Sequence, residues 1–332
     1  MKIAHHDLAE KILIVAEIGN NHEGNFEVAC RMLEAAADAG ADAVKFQTFQ
    51  TRLFTSSADP ARFERLSKFE LTQDQFAKLA ELARSRGIIF FSTPLDLESA
   101  KFLAPIVPVW KVASGDNNFW PLIEYVSSSG KPVIISTGMA DLAQVQRTVA
   151  FANAKGAAGH LALLHCIAAY PVPAAEVNLR AIPMLAAATG CPVGWSDHTL
   201  TTDACLAAAA IGARIIEKHF TLDKNFSAFR DHQLSADPAE MRQIVDGVRR
   251  VETLLGTPEK VVQPSEQATI TPARRSIAAA RDLPRGHRLA AEDLMWVRPA
   301  IGLAPGEERR VVEHTLARDV KAGEAITEKD VD

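Results

Sequence analysis

The sequence lacks several features that would assign it to a common class of protein. No uninterrupted apolar run reaches the length of a membrane span, and the first ten residues lack the apolar core of a signal peptide. There is no basic excess of the kind that marks a nucleic-acid binder, because the formal net charge is -5. The four cysteines include no C-x-x-C pair, which is typical of reduced thiols. These absences predict a cytoplasmic protein with no membrane or nucleic-acid partner.

The sequence does contain a regular alternation of apolar runs with amphipathic, alanine-rich stretches. The apolar runs predict eight strands, at 12–18, 42–46, 88–92, 109–113, 132–136, 161–165, 192–196 and 214–219. A helical pattern follows each run, and this alternation predicts right-handed crossovers and a parallel sheet. Eight such units within about 250 residues predict an α/β fold of the (β/α)8 TIM-barrel type. A doubly wound sheet is the alternative, but no G-x-G-x-x-G follows the first strand.

The alternation stops where a stretch rich in Pro, Gly and polar residues begins, and this stretch predicts a linker. The predicted parts are a barrel at 1–255, a linker at 256–273 and a small domain at 274–332. The small domain contains two copies of the pattern A-R-D-[LV]-x-x-G-x-x-[LI]-x-x-x-D-[LV], at 280–294 and 317–331. Two copies are too few for a solenoid, so the repeat predicts a compact β-rich module with approximate twofold symmetry.

Every predicted barrel strand ends in polar residues, and a barrel carries its chemistry at these ends. Lys45 and Lys111 lie at two of the ends with hydroxyls nearby, such as Ser114 in the same segment as Lys111 and Ser136 at the end of the next strand. A single hydroxyl there is usually a cap, and a single lysine is usually a solvated charge, but eight polar ends together are harder to explain in this way. Two lysines with several hydroxyl donors would form a basic pocket suited to a small phosphorylated anion.

Two histidines, His198 and His219, lie at the ends of neighbouring strands. Neighbouring strands are about 4.8 Å apart, so both imidazoles could bind one divalent metal ion. Zinc sites usually have three or four protein ligands, so spacing alone leaves open both a metal pair and two structural histidines. The role of Cys166 has the same two alternatives, an active-site thiol or an inert one. Its apolar surroundings favour an inert thiol.

Nine segments, in order along the chain, resemble the sialic acid synthase family, which makes N-acetylneuraminate and related nonulosonic acids. They are AEIGNNHEG (16–24), AVKFQTF (43–49), FSTPLD (91–96), WKVASGD (110–116), VIISTGM (133–139), HCIAAYPVP (165–173), GWSDHT (194–199), EKHFTLDK (217–224) and VRPAIGLAPGE (297–307). The small domain resembles the family's antifreeze-like (SAF) domain, a β-clip module. The resemblance implies condensation of phosphoenolpyruvate with an open-chain N-acetylated hexosamine, such as N-acetylmannosamine, and release of phosphate.

The resemblance also implies roles for individual residues. Those that match phosphoenolpyruvate-binding residues are Lys45, Thr93, Lys111, Ser114, Ser136 and Ser196. Those that match sugar-contacting residues are Gln47, Tyr170 and Arg298, and those that match acidic residues near the reacting carbon are Glu23 and Asp231. The family's metal ligands match His198 and His219, which implies a divalent ion, Mn²⁺ first, with Mg²⁺ or Co²⁺ as alternatives. Because Arg298 lies in the small domain while its counterpart contacts the sugar in a barrel, the resemblance implies a domain-swapped homodimer.

Two departures from the family pattern leave the acceptor open. Ala168 stands where the family commonly has Asn or Ser, so one polar contact to phosphoenolpyruvate is absent or comes from water. The family often reads G-P-D-H where this chain has SAFRDH (227–232), so Asp231 matches only if one extra residue is allowed. Because this loop is expected beside the sugar, a legionaminate or pseudaminate synthase that uses a diacetamido-trideoxy-hexose is an alternative.

Two further alternatives belong to other classes. A synthase that condenses phosphosugars would need a second cluster of Arg or Lys at the rim of the barrel, and none is evident in the sequence. A catalytically dead, sugar-binding homologue would be consistent with Ala168, but the retention of both lysines and both histidines argues against it. We therefore expect an unphosphorylated acceptor and an active enzyme.

Overall fold

The computed structural model describes all 332 residues, which divide into two compact units, Met1–Gly256 and Thr257–Asp332. After a short N-terminal hairpin, the first unit contains eight parallel strands. They are β1 (Leu13–Gly19), β2 (Ala43–Thr48), β3 (Ile89–Pro94), β4 (Trp110–Val112), β5 (Val133–Ser136), β6 (Leu161–Cys166), β7 (Val193–Asp197) and β8 (Ile215–His219). The sequence places every one of these strands with boundaries within two residues.

The eight strands form one sheet with the order β3-β2-β1-β8-β7-β6-β5-β4. Parallel pairing of β8 with β1 runs from Ile215 opposite Leu13 to His219 opposite Glu17, and β3 and β4 lie side by side at the remaining seam. The predicted TIM barrel is therefore confirmed. All eight strands run in one direction, so their polar carboxyl ends meet at one end of the barrel.

The helices are α1 (Phe26–Asp38), α2 (Thr51–Phe54), α3 (Pro60–Phe69), α4 (Gln73–Ser85), α5 (Leu97–Leu103), α6 (Trp120–Ser127), α7 (Leu142–Ala152), α8 (Ala181–Thr189), α9 (Asp203–Ala210), α10 (Asp231–Leu234), α11 (Pro238–Leu255) and α12 (Gln267–Ala273). The longest, α11, starts with a capping box between Asp237 and Glu240 and has Pro238 in its first turn. Its buried face includes Met241, Ile244, Val245 and Val248. This spacing is that of an amphipathic helix packed on a core. No helix is both long and apolar enough to cross a bilayer.

The second unit pairs two strands, β9 (Ser276–Ala279) and β10 (Leu294–Val297), in antiparallel fashion. Its two sequence repeats make equivalent contacts, since Leu283 and Val320, which occupy the same repeat position, form a bridge. Each repeat also closes on itself with the same ion pair, between an exposed arginine and a buried aspartate: Arg281 to Asp293 at 2.6 Å and Arg318 to Asp330 at 2.5 Å. The predicted β-rich module with approximate twofold symmetry is confirmed.

Part of the predicted linker is helical. Gln263 donates its backbone N–H to Glu266 at 2.7 Å, and Pro264 begins a 3₁₀ turn that leads into α12. Polar composition suggested a linker, but the same residues supply the cap and first-turn proline that start a helix. The exact boundaries of barrel, linker and small domain stay a prediction.

Candidate active site

A buried cluster of four charged side chains lies inside the barrel and connects strands β1, β2, β4 and β8. Lys45 places its Nζ 2.8 Å from Glu17 Oε2 and 3.6 Å from Glu217 Oε2. Lys111 Nζ lies 3.8 Å from the other carboxylate oxygen of Glu217. None of the four side chains is more than 7% exposed, so each charge depends on the others for compensation.

The hydroxyls predicted to accompany the lysines surround this cluster. Lys45 donates to Thr93 at 3.2 Å and Lys111 donates to Ser136 at 2.7 Å, while Ser196 donates to Glu217 at 2.8 Å. The structure thus brings these five residues and Glu217 into one network of hydrogen bonds and ion pairs. The sixth predicted residue, Ser114, is in the 3₁₀ turn after β4.

Ser114 is fixed by a close backbone approach from the end of β5. Its Oγ accepts from the Gly138 N–H at 3.1 Å. A Cβ at position 138 would lie 2.6 Å from this Oγ, so only glycine allows the two segments to come this near. The neighbouring Cys166 is buried, and burial raises the pKa of its thiol, so it stays protonated as the inert interpretation predicts.

The electrostatics of the cluster favour an anion. Burial lowers the pKa of Lys111, whereas for Lys45 the two glutamates outweigh the effect of burial and raise its pKa. Burial raises the pKa of Glu17 to about 7, while for Glu217 the two lysines outweigh burial and lower its pKa. When Glu17 holds a proton, two ammonium groups face one carboxylate, and the cluster has a net positive charge. Neither glutamate was predicted as a site residue from the sequence, although each is an acidic residue within a largely apolar strand.

His198 and His219 lie beside each other, with ring centroids 5.4 Å apart, and both are buried. His198 Nδ1 donates to the Ile167 carbonyl at 2.8 Å, which leaves Nε2 with its lone pair. His219 Nδ1 is buried and has no hydrogen-bond partner in the chain. Burial lowers the pKa of both imidazoles, so both are neutral. The two neutral rings can therefore offer two nitrogen ligands to a metal ion. No group of three or more His, Cys, Asp or Glu side chains that could hold a metal ion is found in the structure.

An open cavity of about 960 Å³ lies next to the histidine pair. Four residues with predicted sugar-side or acid–base roles line it, together with His219: Glu23, Gln47, Tyr170 and Asp231. The Tyr170 ring stacks near His198, with centroids 4.2 Å apart, and Gln47 accepts from Asn20 Nδ2 at 2.8 Å. Burial raises the pKa of Asp231, opposed by the nearby Arg230 guanidinium. Arg298, the remaining predicted site residue, follows β10 in the second unit.

Three arginines also line this cavity, and they correct the expectation that no second cationic cluster exists. Arg62 and Arg65 lie one turn apart on α3, and Arg230 follows the loop that leads to α10. The Arg230 guanidinium carbon lies 4.7 Å from the centroid of the Tyr170 ring, and its Nε lies 3.4 Å from Asp231 Oδ1. The sequence did not indicate this cluster because Arg62 and Arg65 are far from Arg230 in the chain and lie outside the recognisable motifs.

A cationic pocket deep in a closed barrel, opening onto a wide polar cavity, defines a barrel enzyme that handles a small anion together with a larger polar substrate. Within this class the chain belongs to the NeuB family, which matches residues 32–260. A SAF domain matches residues 274–332. The chain is thus a synthase-type transferase with a C-terminal SAF module, as the sequence motifs imply.

Proteins similar over nearly the whole chain agree with this assignment. The N,N'-diacetyllegionaminic acid synthase of Legionella pneumophila is 38% identical, over 94% of this chain and 92% of its own length. The human N-acetylneuraminate-9-phosphate synthase is 32% identical, over 96% of this chain and 92% of its own length. The crystal structure of an N-acetylneuraminic acid synthetase from Leptospira borgpetersenii, in complex with citrate, is 34% identical with a TM-score of 0.74, covering 78% of this chain and 90% of that one.

Proposed function

We propose that this protein condenses phosphoenolpyruvate with the aldehyde of an open-chain N-acetylated hexosamine, forming a nonulosonic acid and releasing phosphate. The observation that carries the proposal is the buried pair of Lys45 and Lys111, with its hydroxyls, close to a neutral histidine pair. The carboxylate and phosphate of phosphoenolpyruvate suit this pocket, because ammonium groups and hydroxyls are strong donors to anionic oxygens. The adjoining cavity is large enough for a hexosamine.

The proposed reaction forms a bond between C3 of phosphoenolpyruvate and the aldehyde carbon, after which water adds at C2 and the C2–O bond to phosphate breaks. Lys45, Lys111, Thr93, Ser114, Ser136 and Ser196 bind phosphoenolpyruvate. Glu23 and Asp231 both face the cavity and are the candidates for accepting a proton from the water. Burial favours the neutral form of the Asp231 carboxyl and so raises its pKa. A raised pKa makes a carboxylate a better acceptor for a proton from water.

His198 and His219 would hold a divalent metal ion, with Mn²⁺ proposed first and Mg²⁺ or Co²⁺ as alternatives. The free Nε2 of His198 and the unpartnered Nδ1 of buried His219 support this role, since each neutral ring has a nitrogen to offer. When bound, the ion would polarise the aldehyde oxygen and stabilise the negative charge that develops on it. Because neither ligand is a thiolate, no preference for soft metals is expected.

The acceptor site is proposed to contain Gln47 and Tyr170 from the barrel. Part of the cavity wall is apolar, from Phe54, Phe69 and Phe229, which suits the methyl groups of a second acetamido group and of a 6-deoxy position. Together with the Legionella relative, this wall favours a diacetamido-trideoxy-hexose over N-acetylmannosamine. A second candidate is a 6-phosphorylated hexosamine, because the arginine cluster of Arg62, Arg65 and Arg230 could bind its phosphate.

Phosphate release from phosphoenolpyruvate, measured with a panel of acceptors, tests the function and the choice of sugar together. We expect kcat/KM to be about 10- to 200-fold higher for a diacetamido-trideoxy-hexose than for N-acetylmannosamine, the range typical of filling an apolar subsite. The Arg65→Leu variant is the matched control and should leave this preference intact. A clear preference for the 6-phosphorylated sugar, lost in Arg65→Leu, would replace the first candidate with the second.

The resemblance to the family further supports a reciprocal domain-swapped homodimer, in which Arg298 of each chain contacts the sugar in the other chain's barrel. We expect His219→Ala and Arg298→Ala chains to complement each other after mixing, dissociation and reassembly. Half of the dimers would then be mixed, and each mixed dimer would have one intact site, so roughly a quarter of wild-type activity returns. Native mass spectrometry verifies that mixed dimers have formed. Activity no higher than that of the separate variants, with mixed dimers present, would rule out the exchange.

A further inference from the structure

His232, the second residue of α10, is fully buried and both of its ring nitrogens are committed. Nε2 lies 3.1 Å from Oε1 of Glu23, and Nδ1 lies 2.7 Å from Oγ1 of Thr221. Two aromatic rings enclose the imidazole, with Phe226 at 5.1 Å and Phe229 at 6.1 Å between centroids. A fully enclosed imidazole is therefore directed at a carboxylate that lines the catalytic cavity.

The hydrogen-bond partners of Thr221 determine where the protons lie. Its hydroxyl donates to the Asp223 carbonyl at 3.0 Å, because a carbonyl can only accept. The single hydroxyl proton is used there, so Oγ1 accepts from His232, and Nδ1 carries a proton. In a neutral ring Nε2 would then present a lone pair to the Glu23 carboxylate at 3.1 Å, which is repulsive. One proton between Nε2 and Oε1 removes this repulsion.

Glu23 is held for this contact by a second hydrogen bond and by its backbone. Ser227 Oγ accepts from the Phe229 N–H at 2.9 Å, so its own proton goes to Glu23 Oε1. With Oε1 engaged twice, Oε2 is the oxygen left for the cavity. Glu23 also has a left-handed backbone, φ +48°, a conformation that residues other than glycine rarely adopt.

We propose that His232 is a positioning residue that shares one proton with Glu23 and so makes Glu23, rather than Asp231, the proton-transferring group of the reaction. This proposal rests on the proposed function. The pair gives its proton to the alkoxide formed when C3 of phosphoenolpyruvate bonds to the aldehyde carbon. It regains a proton from the water that attacks C2, and the other water proton leaves with phosphate when the C2–O bond breaks. The pair ends as it began, and all protons are accounted for.

The geometry explains why the pair regains its proton readily. Once the proton has left, the lone pair of a fully buried imidazole and a carboxylate that is only 26% exposed face each other at 3.1 Å, with little water between them to screen the repulsion. The other charged and titratable groups that line the same cavity as Glu23 are Arg62, Arg65, Tyr170, His219, Arg230 and Asp231, and His22 precedes Glu23 in the chain. Burial lowers the pKa of His22 to about 4, so this ring stays neutral at the pH of the reaction.

The kinetic test replaces His232 by glutamine, which can still donate to Glu23 but cannot hold a titrating proton. We expect kcat to fall about 10²-fold in His232→Gln, with KM for phosphoenolpyruvate nearly unchanged, and the alkaline limb of the kcat profile to disappear. In Glu23→Gln/His232→Gln the loss should be no larger than in Glu23→Gln alone, because the two residues act as a unit. His6→Gln is the matched control, a buried histidine outside the barrel strands that donates to the Lys11 carbonyl, and should keep the wild-type profile.

A spectroscopic test uses the wild-type protein alone, so it depends neither on turnover nor on whether a variant folds. Nitrogen-15 NMR of the wild-type protein, with the His232 ring assigned through its scalar couplings, should show Nδ1 protonated and Nε2 in a shared-proton bond. An unprotonated Nδ1 would mean a neutral ring that simply donates to Glu23, and this result would overturn the proposal. So would a wild-type pH profile in His232→Gln, or an equal loss of kcat at every pH. Failure of the wild-type enzyme to release phosphate with any acceptor would instead overturn the proposed function.

Discussion

Lys111→Met is expected to lower kcat/KM for phosphoenolpyruvate by about 10²- to 10³-fold, the effect of removing one donor from a water-excluded anion site. Lys111 donates to Ser136 at 2.7 Å and lies 3.8 Å from Glu217, so its loss removes a positive charge and leaves a carboxylate with only Lys45 opposite it. A repelling carboxylate in the pocket weakens the binding of a trianion in both ground and transition states. Steady-state kinetics at saturating acceptor measures the loss.

Lys131→Met is the control for replacing a lysine in the same barrel. Lys131 precedes β5, at the opposite end of the strands, where its ammonium group donates to the Ala104 and Val107 carbonyls. Its replacement should leave kcat/KM near the wild-type value, although stability decreases. Wild-type affinity for phosphoenolpyruvate in a correctly folded Lys111→Met enzyme would place the anion elsewhere.

His219→Ala is expected to abolish measurable turnover, a loss of at least about 10³-fold, because metal polarisation of a carbonyl contributes several kcal/mol. His219 ends β8 beside His198. No group of three or more His, Cys, Asp or Glu side chains is found that could hold a metal ion, so the chain has no spare ligand to replace a lost ring. Exhaustive chelation of the wild-type enzyme should give the same loss, and Mn²⁺, Mg²⁺ or Co²⁺ should restore activity. Equilibrium dialysis with Mn²⁺ should detect one ion per wild-type chain and none in His219→Ala.

His6→Gln serves as the control here as well, because it removes a buried histidine outside the barrel strands and should bind Mn²⁺ as the wild type does. Full turnover by an enzyme shown by elemental analysis to be free of metal would contradict the proposed role of the pair. A His219→Ala chain that retains one Mn²⁺ ion would place the metal at another site.

The fold could be predicted because each barrel strand carries its own signal. Apolar runs such as 133–136 and 161–166 are too short for helices, and each is followed by an amphipathic stretch, so their number alone predicts a barrel. The lysines and histidines of the site could be predicted for the same reason, since a polar residue at the end of a buried strand is conspicuous.

The rest of the site could not be predicted, because it depends on which side chains of different strands and loops meet in the folded chain. Nothing in the sequence pairs Glu17 with Lys45, or His232 with Glu23, since neither pair shares a periodic pattern. The arginines of α3 present the same difficulty, because an exposed helical arginine usually faces solvent. Only the closed geometry of the barrel brings Arg65 to the same cavity as Asp231.

The paired repeats of the small unit indicate how this unit could have arisen in evolution. Each repeat carries its own ion pair, and the two repeats are joined through equivalent positions, Leu283 and Val320. Duplication and fusion of a gene segment whose single copies associated as a homodimer would produce this arrangement. Covalent fusion then frees the two halves to diverge.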